Sequence, residues 1–111
     1  MSENKKDFLP YTKDGNLYVF ELNGKSYGFK KLTWGEKNRV MKISQTITHD
    51  GQLQFDMAEF NTNLVLATLK KAPFAISKQS INEYPDSKLM DNVLSIATQM
   101  NIADPIKIQN L

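Results

Sequence analysis

The chain of 111 residues contains no cysteine and a single histidine. The absence of cysteine excludes disulfides, thiolate metal sites and thiol nucleophiles. His49 stands beside Asp50 in a polar segment. One histidine and one aspartate make neither a catalytic triad nor a metal site, because a metal site needs three or more converging ligands. We therefore interpret His49 as a solvated loop residue.

The five glycines are scattered, and no GxxxxGK or GxGxxG phosphate-binding loop occurs. The acidic residues Glu36, Glu59, Asp56, Asp86 and Asp104 are accounted for by helix caps, helix starts and turns. No group of residues is therefore left to form a catalytic or cofactor site. The sequence predicts that the protein is not an enzyme and uses no cofactor or metal.

The sequence also has no strong excess of charge of either sign, with a net charge of +2. Acidic and basic residues are interspersed, so there is no basic footprint for nucleic acid. No apolar run approaches the roughly 20 residues that cross a bilayer. The N-terminal segment MSENKKDFLP is polar and lacks the apolar core of a signal peptide. We expect a cytoplasmic protein that binds neither nucleic acid nor membrane.

Residues 17–30, LYVFELNGKSYGFK, predict a β-hairpin. Asn23-Gly24 suits a type I′ turn, in which both central residues have positive φ. With these two residues as the loop, Phe20 pairs with Tyr27, and the aromatic side chains collect on one face. Such a hairpin is marginal alone in water, so we expect it to pack on a helical layer.

Capping signals predict three main helices and one short helical turn. Thr33 and Glu36 form a capping box at the start of a helix over about residues 34–46. Ser77 or Ser80 begins a short turn before Pro85, and Asp86 caps a last helix over about 87–101. An amphipathic stripe runs along that helix through Leu89, Val93, Ile96, Ala97 and Met100. We interpret Trp34 as a plug between hairpin and helices, with a surface-binding role as the alternative.

The helix predicted over 56–71 is the most distinctive, because apolar side chains cover most of its circumference. Asp56 caps its start, and Pro73 follows its end. Either it is the central helix of a small core, or one of its faces binds a partner or a second copy of the chain. We expect Met57, Phe60 and Leu64 to lie in the core. The candidate partner-binding residues are Trp34, Val65, Leu66 and Leu69.

Together these elements predict an α+β fold, in which an N-terminal β-hairpin packs on a small bundle of three main helices and a short helical turn. Residues 16–101 form a single domain in this interpretation, and residues 1–15 form a flexible lead-in. Residues 102–111 form a tail, where Ile106 and Ile108 alternate with polar residues and predict an edge strand.

The order of these signals resembles the tail assembly chaperones of long-tailed bacteriophages and prophages. A hairpin is followed by the junction LTWGEKNRV, a helix, an Asp-Gly loop and a helix that ends in LATLKKAPF. The serine-led turn SKQSINEYP and a last amphipathic helix that ends in Met-Asn complete the match. The resemblance covers roughly residues 17–101.

The resemblance implies a cytoplasmic, non-catalytic protein that binds the tape measure protein, keeps it soluble and helps recruit tail tube protein around it. Two alternatives remain at this point. One is a structural component of the phage tail, of the tail terminator or head–tail connector type. The other is a small DNA-binding regulator, although Lys70 and Lys71 lie only at the end of the helix that would have to contact DNA.

Overall fold

The computed structural model describes residues 10–101, and six strands and four helices occur in this range. In chain order these are β1 (Tyr11–Asp14), β2 (Leu17–Leu22), β3 (Lys25–Lys30), α1 (Trp34–Ile43), β4 (Gln45–Ile47), β5 (Leu53–Phe55), α2 (Met57–Thr68), β6 (Leu69–Lys71), α3 (Lys78–Asn82) and α4 (Ser87–Asn101). The strands form an antiparallel sheet in the order β1-β2-β3-β6 and a separate hairpin of β4 and β5. The predicted α+β class is confirmed.

The β2–β3 hairpin has the predicted turn and the predicted register. Asn23 and Gly24 both have positive φ, at 54° and 75°, as a type I′ turn requires. Phe20 pairs with Tyr27 and Tyr18 with Phe29. The rings of Phe20 and Phe29 meet edge to face, with their centroids 5.6 Å apart. This aromatic face is buried, so the hairpin covers one side of the core.

The N-terminal lead-in predicted over residues 1–15 is wrong for residues 11–14, which form strand β1. Asp14-Gly15 is indeed a turn, with Gly15 at φ 62°, but it joins two paired strands. All four residues of the added strand pair with β2, and the ring of Tyr11 lies 5.3 Å from that of Tyr18. Residues 1–9 lie outside the described residues, as does the predicted edge strand at Ile106 and Ile108.

The helix starts agree with the predictions better than the helix ends do. Thr33 caps α1 with the predicted capping box, but α1 ends at Ile43, three residues before the predicted end, and the chain turns into β4. Helix α2 ends at Thr68, because Leu69–Lys71 pairs with the edge of β3. Gly28 permits this pairing: a Cβ there would lie 3.0 Å from the Cβ of Lys71. Helix α4 spans the predicted range.

Helix α2 lies at the centre of the domain and contacts α1, α3, α4, β3 and β6. Its buried residues join side chains of the sheet and of α4 in one core. The core consists of Phe20, Leu22, Tyr27, Phe29, Val40, Leu64, Val65, Leu69, Ile81, Leu89, Val93, Ile96 and Ala97. Of the three residues expected there, Leu64 is buried and Phe60 partly buried, whereas Met57 is 59% exposed. Met57 occupies the first turn, beyond the edge of the packed layer.

A buried asparagine joins the end of α4 to the start of α1. Asn101 accepts a hydrogen bond from the backbone N–H of Leu32 on its Oδ1, at 2.7 Å, and its Nδ2 donates to the carbonyl of Ala97 at 3.0 Å. Both polar ends of the buried amide are therefore satisfied, as burial of a polar group requires. The contact holds Leu32, the residue before the N-cap of α1, against the last turn of α4.

We expect Leu64→Ala to lower the free energy of unfolding by about 2–5 kcal/mol, because it leaves a cavity at a fully buried site. Met57→Ala is the matched control on the same helix, and we expect it to change stability by less than about 1 kcal/mol. Urea denaturation followed by circular dichroism measures both. Equal losses would show that Met57 lies in the core after all.

A second prediction concerns acid stability. The hydrogen bond from Lys30 and the capping bond from the backbone of Thr33 lower the pKa of Glu36 from 4.5 to about 2. The unfolded chain therefore binds a proton at this position at a higher pH than the folded chain does. The stabilisation from Glu36 is present above about pH 4.5 and is lost as the pH falls towards 2.

Glu36→Gln tests this directly, because glutamine can keep the capping bond but carries no charge. We expect the variant to lose less stability than the parent protein between about pH 4.5 and pH 2. Thermal unfolding at a series of pH values compares the two slopes. Parallel curves across that window would mean that the Lys30–Glu36 contact does not form in solution.

Candidate protein-binding surface

Apart from Trp34, the most exposed large apolar side chains of the described residues are concentrated around the β4–β5 hairpin. Ile47 is 71% exposed and Leu53 is 67% exposed. Phe55 and Met57 follow along the chain and are also exposed. Large apolar side chains grouped on a surface indicate a site of protein–protein contact more often than single scattered ones do.

The hairpin register places these side chains on one face. Ile47 lies directly opposite Leu53, and Phe55 lies two residues further along β5. Side chains alternate along a strand, so all three point to the same side. Asp56 is still extended, at φ −103° and ψ 105°, so the alternation continues to Met57. We call Ile47, Leu53, Phe55 and Met57 the hairpin patch.

The base of the hairpin is fixed to the domain by a small buried polar cluster. Ser44 is fully buried and donates from its Oγ to the carbonyl of Val40 at 2.6 Å. The side chain of Asn63 in α2 donates to the Ser44 hydroxyl at 3.1 Å, and the backbone N–H of Asp56 donates to the Ser44 carbonyl at 2.8 Å. Ser44 thus connects α1, both strands of the hairpin and α2.

One aromatic contact links the hairpin patch to the core. The ring of Phe55 lies 5.4 Å from that of Phe60, which packs partly buried against the core cluster. This is the pair of residues that flanks the first turn of α2, in the arrangement of a hydrophobic staple. The patch is therefore an apolar surface that begins at the edge of the core and continues onto the exposed hairpin.

The patch carries no charge, since neither β4 nor β5 contains a charged residue. The turn between them is polar and is closed by a backbone hydrogen bond from Thr48 to Gln52 at 2.9 Å. The hydroxyl of Thr48 donates to Asp50 and lowers the pKa of that carboxyl group. The charge of the hairpin therefore lies in its turn. The two strands can therefore bind an apolar surface, and they offer no acidic, basic or metal-binding side chain.

The four predicted partner-binding residues do not form one surface. Val65 and Leu69 are 2% and 1% exposed, so they are corrected to core residues. Leu69 falls within the predicted helix, but it belongs to β6, where it pairs with Phe29 and is buried. Leu66 is partly buried and packs against the core. These three residues contribute to the stability of the domain.

Trp34 differs from the other three candidates, because it is 77% exposed. The interpretation of Trp34 as a plug between hairpin and helices is wrong. It stands in the first turn of α1, where the capping box of Thr33 and Glu36 fixes the backbone and leaves the indole outside the core. An exposed tryptophan on a rigid helix start suits a contact residue.

The hairpin patch was missed from the sequence although its signals are present. Ile47, Leu53 and Phe55 alternate with polar residues on both sides of the Asp50-Gly51 turn, and Gly51 has φ 82°. That pattern is typical of a hairpin. Residues 45 and 46 fall inside the predicted first helix, and the remaining hairpin residues lie between the two predicted helices, so no strand is predicted there.

A groove of about 250 Å³ lies between α2, α3 and α4, and it mixes apolar and polar side chains. Within residues 10–101, no cluster of three or more histidine, cysteine or acidic side chains is placed to hold a metal ion. No helix in this range combines the length and the apolar character that crossing a membrane requires.

Comparison with protein-family models, with curated proteins and with solved structures found no match to this chain.

We expect Ile47→Ser combined with Leu53→Ser to reduce binding of an apolar dye such as ANS, because it removes the two most exposed side chains of the patch. The free energy of unfolding should change by less than about 1 kcal/mol, since neither residue belongs to the core. Dye fluorescence and urea denaturation measure the two effects. A large loss of stability with unchanged dye binding would assign these residues to the fold.

Proposed function

We propose that this protein is a non-catalytic tail assembly chaperone of a phage or prophage. It binds the tape measure protein in the host cytoplasm, keeps that protein soluble and promotes assembly of tail tube protein around it. The observation that carries the proposal is the uncharged, exposed hairpin patch, which is suited to cover apolar surface on another protein. The resemblance of residues 17–101 to this family supplies the identity of the partner.

The size of the patch suits reversible binding. Fully burying one large apolar side chain stabilises a complex by about 1.5–3 kcal/mol, and the four patch residues are already partly covered. Their remaining burial therefore contributes roughly 4–7 kcal/mol, and association itself costs an amount of similar size. One copy would bind weakly and release readily. Several copies along a long partner could protect it without holding it permanently.

Trp34 is the second contribution to this function. Exposed tryptophans are frequent anchors of protein interfaces, because the indole contributes a large apolar area at a small loss of side-chain entropy. The side chain is held on the first turn of α1, which the capping box and the Asn101–Leu32 hydrogen bond fix in place. Trp34 is the one predicted partner-binding residue that stays a candidate, and the hairpin patch replaces Val65, Leu66 and Leu69.

Co-expression with the tape measure protein tests the proposal. We expect this protein to increase the soluble fraction of the partner, and we expect Ile47→Ser combined with Leu53→Ser to lose most of that effect. The matched control is Thr46→Ser combined with Gln54→Ser, which changes the opposite face of the same hairpin. A partner whose solubility does not change in the presence of the parent protein would contradict the proposal.

Mass spectrometry of finished virions separates this function from that of a structural tail component. An assembly chaperone should be absent from the purified particle, whereas a tail terminator or connector protein would be present in a fixed number of copies. Detection of this chain in stoichiometric amounts in the virion would therefore reject the chaperone role.

A further inference from the structure

The sheet edges of this protein differ in how they are protected from pairing with another chain. Natural proteins protect exposed edges with lysine, with proline or with very short strands. Strand β1 is preceded by Pro10 and carries Lys13, whose ammonium lies 4.5 Å from the ring centre of Tyr18. Strand β6 contains Lys70 and Lys71 and is followed by Pro73. Both edges of the four-stranded sheet are thus guarded.

The β4–β5 hairpin is protected only by the shortness of its two three-residue strands. Its strands read Gln45-Thr46-Ile47 and Leu53-Gln54-Phe55, without lysine, any other charge or proline. All residues of both strands are exposed. A two-stranded hairpin is marginal in water unless further strands or a packed layer support it. Among the sheet edges of the described residues, the hairpin edges are therefore the least protected against strand addition.

The hydrogen-bond pattern shows which backbone groups face outwards. The backbone N–H of Thr48 donates to the carbonyl of Gln52, and that of Asp56 donates to the carbonyl of Ser44. Hydrogen-bonded and non-hydrogen-bonded pairs alternate in an antiparallel ladder, so the pair of Thr46 and Gln54 is also hydrogen-bonded. Leu53 and Phe55 therefore direct their backbone N–H and C=O groups away from β4. The side chains of these same two residues belong to the hairpin patch.

We propose that two copies of this protein associate through the outer edges of β5 around a two-fold axis at Gln54. In this register Leu53 of one copy lies opposite Phe55 of the other, and each such pair exchanges two backbone hydrogen bonds. Gln54 lies opposite Gln54 across the axis, and Gln52 lies opposite Asp56. No like charges meet, and the apolar side chains fall beside each other.

The same operation on the outer edge of β4 is less favourable. A two-fold axis at Thr46 would place Gln45 opposite Ile47, so each pair would join a polar and an apolar side chain. The β5 register instead joins two large apolar side chains in each pair, which is the more stabilising cross-strand combination. The result is a four-stranded sheet in the order β4-β5-β5-β4, with Ile47, Leu53 and Phe55 of both copies on one face.

This inference goes beyond the proposed function and stands without it, because it depends on the hairpin edge alone. The two three-residue strands form a small interface, so the dimer should be weak and concentration-dependent. Sedimentation equilibrium of the full chain over a range of concentrations measures the dissociation constant. A protein that stays monomeric at the highest concentration would overturn the proposal. The proposal would also fail if the protein is monomeric alone and this edge instead pairs with an extended segment of another protein.

Charge exchange at the axis tests the register. Gln54→Lys places two ammonium groups opposite each other, and we expect it to raise the dissociation constant about tenfold or more. Gln54→Glu should do the same, and an equimolar mixture of the two variants should restore dimers. The matched control is Thr46→Lys, which adds the same charge to the same face of the hairpin but on the strand remote from the axis.

We expect the Thr46→Lys control to dimerise like the parent protein. Circular dichroism of each variant checks that the fold is retained. Dimerisation of Gln54→Lys at the parental strength would overturn the proposal. A mixture of Gln54→Lys and Gln54→Glu that forms no dimers would also overturn it. So would a Thr46→Lys variant whose dimer is weakened as much as that of Gln54→Lys.

Discussion

The aromatic face of the N-terminal sheet must be removed from water, and α2 is the helix that covers it. Phe20, Tyr27 and Phe29 meet Leu64 and other buried residues of α2 in one core. The same helix contacts α1, α3 and α4, so its apolar circumference is used inside the domain. This packing positions the elements that contact α2, namely α1, α3, α4, β3 and β6, around one central helix.

This arrangement separates the residues that stabilise the domain from those available for binding. The first turn of α2 and the preceding hairpin lie outside the core, and the hairpin patch lies there. Ser44 and Asn63 form the connection, because their buried hydrogen bond ties the hairpin base to α2. A binding surface carried on such an attachment can be apolar without lowering the stability of the core. That combination fits a protein that covers apolar surface and later releases it.

Whether the sequence predicts a feature correctly depends on how far apart the interacting residues lie in the chain. Local signals were reliable where the chain alone decides the conformation: the turn at Asn23-Gly24, the capping box at Thr33 and the stripe of α4 appear as expected. Errors occur where a distant segment competes for the same residues. Leu69 pairs with β3 instead of continuing the helix, and Trp34 is 77% exposed on the first turn of α1.

The sequence by itself therefore determined the α+β class, the helix starts and the hairpin register, because caps, tight turns and side-chain periodicity act over a few residues. The tertiary structure alone decided which apolar residues are covered. Val65 and Leu69 are buried, whereas Ile47 and Leu53 are exposed, although all four have aliphatic side chains. Whether a side chain is buried depends on which distant segment packs against it. The local sequence pattern does not specify that segment.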